Sequence, residues 1–134
     1  MSSNPERVTK NVDLTKLKDS LGAVTSFTDG LLVNTGVNYP NGNPVFIALV
    51  MSNGKLRVSD YRKGLENAIQ RRPIRTKYPG WFLGKTARQN GVRYASGEVY
   101  QLLPKNPPIR SLIDAIRSVA TATQNGVLLT PVKG

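Results

Sequence analysis

The side chains of this 134-residue chain most able to do chemistry are its cations, and they are unevenly spread. Residues 55 to 93 hold eleven of the nineteen Lys and Arg residues against two acids, Asp60 and Glu66. Under a third of the sequence thus carries a net +9 of the formal +11. Seven of the eleven are Arg, whose planar fork suits phosphate and stacks on bases, and Tyr61, Tyr78, Trp81, Phe82 and Tyr94 are interleaved with them. Charge concentrated beside aromatic rings points to a surface for a polyanion. The same composition also fits a solvated basic face, or one steered toward the carboxylates of an acidic protein.

Other chemistry has little to work with. The chain has no His and no Cys, which removes Ser-His-Asp hydrolysis, thiolate chemistry, disulfides and the usual zinc sites. Asp29, Asp60 and Glu98 could in principle converge on Mg²⁺, because hard cations take carboxylate oxygens. Each has a simpler reading, however: a turn before Gly30, a helix N-cap, and a place beside a hairpin turn. Glycine-rich phosphate loops are absent, and Thr86 and Ser96 have no base except lysines. The expectation is a protein without catalytic residues, metal or cofactor.

These side chains need elements to position them, and the length fits one domain over residues 1–134 with frayed ends at about 1–10 and 127–134. Asp13 caps a short helix carrying Leu14, Leu17 and Leu21, with Gly22 as its stop. Strands follow at Val24 to Phe27 and Leu31 to Tyr39, then Val45 to Met51, joined by Asn53-Gly54, a strong hairpin signal, to Lys55 to Ser59. Asp60 then stands as the N-cap of a helix bearing Tyr61, Leu65, Ala68 and Ile69, which must end before Pro73. Residues 71 to 80 read as a basic loop, Trp81 to Asn90 as a helix stopped by Gly91, and Val92 to Ala95 with Glu98 to Leu103 as a second hairpin. Pro108 opens a last helix striped by Ile109, Leu112, Ile113, Ile116, Val119 and Ala120 and ended by Gly126. The class is α+β: a three- or four-stranded antiparallel meander plus a C-terminal hairpin, packed with about four helices, mostly on one face. The longest apolar run, Val45 to Met51, is too short to span a bilayer. A soluble protein of the bacterial host cytoplasm, without a membrane partner, is therefore expected.

Phe27-Thr28-Asp29-Gly30, then Leu56-Arg57-Val58-Ser59-Asp60 leading to Gly64-Leu65, Leu83 through Gly91-Val92, and Gly97-Glu98-Val99 before the final helix together resemble a family of small bacterial and phage α+β domains of unknown function. The resemblance covers residues 12 to 122. It implies a phage or mobile-element setting and no established reaction. In that family the strand-end Asp is followed by another acid and Gly, whereas here Tyr61-Arg62-Lys63 intervenes before Gly64, so the basic character belongs to this chain.

The expected function is therefore nucleic-acid binding, to DNA in preference to RNA. Arg71, Arg72, Arg75 and Lys77 would grip phosphates from the loop, and Arg62, Lys63, Lys85 and Arg88 would extend the contact along two helices. Trp81 or Tyr78 would stack on a single strand, and Arg93 would reach in from the second hairpin. Phe82 and Tyr100 are expected in the core, and Tyr61 half-buried on its helix. The order helix, loop, helix, hairpin is that of a winged helix-turn-helix, but the loop is long for its tight turn and the reading helix offers only Lys85, Arg88, Gln89 and Asn90. The competing expectation is a phage protein that binds an acidic host protein and inhibits or redirects it.

Overall fold

The computed structural model describes residues 4–71 and 80–131, with Arg71 described through its backbone alone. Five helices and six strands follow in the order α1 (Asn4–Thr9), α2 (Leu14–Ser20), β1 (Val24–Phe27), β2 (Gly30–Asn38), β3 (Pro44–Ser52), β4 (Lys55–Ser59), α3 (Lys63–Arg71), α4 (Trp81–Gln89), β5 (Arg93–Ala95), β6 (Glu98–Pro104) and α5 (Ile109–Leu129). The class is α+β, as the sequence implies.

All six strands form one antiparallel sheet in the order β1-β2-β3-β4-β6-β5, larger than the separate meander and hairpin expected. The hairpin joins because β6 pairs with β4, Leu56 opposite Leu103 and Ser59 opposite Tyr100, after α3 and α4 have carried the chain away and back. Local turn chemistry sets the register of β3 and β4. Asn53 and Gly54 both take positive φ, 52° and 76°, as a tight hairpin turn of this hand requires.

Alternation along the strands gives the sheet two unlike faces. Leu31, Val33, Ile47, Leu49, Leu56 and Val58 are buried, and α5 lies across β2, β3, β4 and β6, presenting Leu112, Ile116 and Val119 to the core. Helices α2, α3 and α4 pack on α5. Arg117 on α5 ties the end of α2 by donating to the Ser20 carbonyl at 3.2 Å, and Thr86 on α4 donates to the Ala122 carbonyl at 2.6 Å. The opposite face carries Phe27, Leu32, Phe46, Arg57 and Tyr100.

Three expectations need correction. The N-terminus holds a helix, α1, whose Val8 is fully buried. Helix α5 runs past Gly126 to Leu129, because Gly126 is buried against α4 and serves close packing there. Tyr100 is half-buried on the sheet face away from the core, its ring 4.5 Å beneath the Arg57 guanidinium.

Candidate functional site

Two places carry the polar chemistry of the described residues: the exposed face of α4 and the junction after β4. On α4, Trp81, Lys85 and Arg88 follow at i, i+4 and i+7, which stacks them on one side of the helix. All three are exposed, and Lys85 Nζ sits 5.5 Å from the centre of the Trp81 ring. Trp81 is 54% exposed because the inward positions of α4 belong to Leu83, Thr86 and Ala87, while Phe82 is half-buried edge-to-face with it at 4.9 Å. Arg93 is exposed on β5, the edge strand that packs beside α4.

The ion pairs among the described residues join Arg57 to Glu98 at 2.5 Å and Lys63 to Glu66 at 3.2 Å. Lys63 therefore contributes less positive charge than expected, being offset by an acid one turn along its own helix. Arg62 is exposed beside Gly97 of the β5–β6 turn and shares a hollow with Glu98. The structure thus groups Trp81, Lys85 and Arg88 on α4, whereas Arg93, opposite Tyr100 in the β5–β6 pairing, lies on the sheet face away from the core. Arg72, Arg75, Lys77 and Tyr78, with the side chain of Arg71, lie outside the described residues.

No family model, curated protein or solved structure matches this chain.

At the second place, Asp60 is not a helix N-cap. The chain leaves β4, passes through two left-handed residues, Tyr61 (φ 56°) and Arg62 (φ 65°), and only then enters α3. The buried carboxylate supports this bend. Its Oδ1 accepts from the Val99 and Arg62 amides, each at 3.0 Å, and its Oδ2 accepts from the Gly64 amide at 3.2 Å and the Thr123 hydroxyl at 2.9 Å. One side chain thereby fastens β6, the left-handed bend, the first turn of α3 and the middle of α5. Gly64 is required by the crowding: a Cβ there would sit 2.0 Å from Thr123 Oγ1 and 2.7 Å from Asp60 Oδ2.

No cation pairs with Asp60 among the described residues. Burial pushes its carboxyl up to about 6, desolvation outweighing the four donated hydrogen bonds. Tyr39 hydroxyl lies 3.4 Å from Thr123 Oγ1, extending the network, and burial raises its pKa as well.

The acids weighed as Mg²⁺ ligands have other partners. The Tyr61 hydroxyl donates to Asp29, and Glu98 accepts from Arg57 and from Ser59, each at 2.5 Å. Among the described residues no group of three or more His, Cys, Asp or Glu is placed to hold a metal ion. Tyr61, expected half-buried on its helix, is 43% exposed on the bend and meets Phe27 edge-to-face at 5.5 Å. No described helix is long and apolar enough to cross a membrane.

Proposed function

We propose that this chain is a small non-enzymatic protein of phage or mobile-element type that binds nucleic acid, DNA in preference to RNA, in a bacterial cytoplasm. The observation that carries the reading is the stripe of Trp81, Lys85 and Arg88 on one exposed face of α4, with Arg93 on the adjoining strand and no described acid paired to any of them. An aromatic ring exposed among unpaired cations can stack on an unpaired base while the cations meet the flanking phosphates. Arg62 and the basic residues 71–77 extend the same run of sequence.

The test is a salt titration of oligonucleotide affinity. With Arg62, Lys85, Arg88 and Arg93 on phosphates, log K falls against log[salt] with a slope of about −4 on duplex DNA, and replacing Lys85 and Arg88 together by Ala reduces its magnitude by about 2. A salt-independent affinity overturns the reading. A complex recovered from host lysate that survives nuclease treatment would move the basic face to an acidic protein instead.

A further inference from the structure

Away from α4, a cleft of about 420 Å³ opens between α3 and the sheet face opposite the core. Phe27 of β1, Leu32 of β2 and Phe46 of β3 line it, with Tyr61 of the left-handed bend. Phe46 is 37% exposed and Tyr61 43%, so two aromatic rings stand open to a ligand where the sheet could have placed polar residues. Lys63, Glu66, Asn67 and Gln70 line the helical side, and Asp60 lies in the lining as well.

The charge of this cleft is opposite to that of the molecule. Of the eight acids in the chain, four gather around Tyr61: Asp60 and Glu66 line the cleft, Asp29 accepts from the Tyr61 hydroxyl, and Glu98 shares the neighbouring hollow. The lining itself holds two carboxylates against one ammonium, and because Lys63 pairs with Glu66 at 3.2 Å the net negative charge is that of Asp60, on a chain of net +11. One of those carboxylates, Asp60, is fully buried and has hydrogen bonds but no paired cation among the described residues. Buried carboxylates ordinarily have a counter-charge.

We infer that this cleft binds a compact organic cation, an alkylammonium or guanidinium group, held against Phe27, Phe46 and Tyr61 and drawn by Asp60 and Glu66. Aromatic faces attract such cations through the ring quadrupole, and the attraction strengthens as water is excluded. A hard metal ion does not fit, because it takes several oxygen ligands and no group of three or more Asp or Glu among the described residues is placed to hold one. A polyanion does not fit either, since its phosphates would approach Glu66 and Asp29. The inference is independent of the α4 surface.

The experiment is an NMR titration of the full chain, following the ring protons of Phe27, Phe46 and Tyr61. The probes are n-butylammonium, n-butylguanidinium and the neutral isostere 1-butanol, with Gly-Lys-Gly and Gly-Arg-Gly as a second arm. The expected result is saturable shifts at these rings, with the cations binding roughly three- to thirtyfold more tightly than 1-butanol. Phe46→Ala, at a part-exposed position, and Glu66→Gln each weaken the cation several-fold and leave 1-butanol nearly unchanged in the Glu66 variant. Peptides that bind more tightly than the free amines identify a partner's side chain as the occupant, whereas the reverse order identifies a free amine. Equal affinity for 1-butanol and butylammonium, shifts absent from these rings, or a Phe46→Ala variant that binds as the parent does, each overturns the inference.

Discussion

Asp60 shows how one residue can be recognised in a sequence and still be misread. Its position at a strand end before a helical pattern marks it as a capping residue, and it does accept from the Gly64 amide in the first turn of α3. Its other partners, Val99 and Thr123, lie 39 and 63 positions away, where no local pattern could announce them. Because its folded pKa, about 6, lies above the ordinary 3.8, the native state binds a proton more readily than the unfolded chain does. Its contribution to stability is therefore fully present below about pH 4 and is lost as pH rises through 6, on the order of 3 kcal/mol in all. Asn at this position keeps one acceptor oxygen and turns an amide toward backbone donors, at a cost of about 2 kcal/mol or more at pH 7. Urea denaturation of wild type and Asp60→Asn between pH 7 and pH 4 should show the gap between them widening as the pH falls. A gap that stays constant or narrows would refute the assignment.

At the scale of elements, the legible parts are those encoded within a few residues. Asp13 accepts from the Lys16 amide at 3.1 Å as a capping residue should, and β4 spans Lys55–Ser59 as the Asn53-Gly54 turn implies. Helix α1 is not legible in the sequence because six residues with one buried side chain, Val8, have no periodicity; Pro5 in its first turn is the available signal. Gly126 reads as a helix stop in the sequence because the residue that ends a helix in solvent also permits contact between helices, and only α4 decides which. A Cβ at Gly126 would lie 2.5 Å from Leu83 Cδ2 and 2.9 Å from both Leu83 Cα and Thr86 Oγ1, so backbone as well as side chain would have to yield. Gly84 on α4 offers the contrast: its Cβ would meet Tyr94 Cδ2 at 3.6 Å, an ordinary contact. Gly126→Ala should therefore destabilise by about 1–3 kcal/mol despite its better helix propensity. Gly84→Ala should be neutral or stabilise by up to about 1 kcal/mol. Equilibrium denaturation of the two variants decides it by the opposite signs.

For the whole molecule, the separation of charge matters more than its total. The sequence located the cations but not their neighbours: Arg57 is drawn to Glu98 across the β4–β6 pairing and Lys63 to Glu66, whereas Lys85, Arg88 and Arg93 remain without a described acid. It gave no hint that half of the acids would collect around Tyr61, because residues 29, 60, 66 and 98 meet only through the six-stranded sheet and the bend after β4. A net charge of +11 repels itself in the folded state, so cations held on an exposed face without partners add no stability and remain free for a ligand. Replacing Lys85, Arg88 and Arg93 together by Gln should change the unfolding free energy by less than about 1 kcal/mol, the Lys85–Trp81 contact being the main loss. The same variant should lose most of its oligonucleotide affinity at moderate salt and show a slope smaller in magnitude by about 3. Thermal or urea unfolding measured beside the salt titration separates the alternatives. A variant that unfolds easily would make these side chains part of the scaffold, and one that keeps both stability and affinity would move the binding surface away from α4.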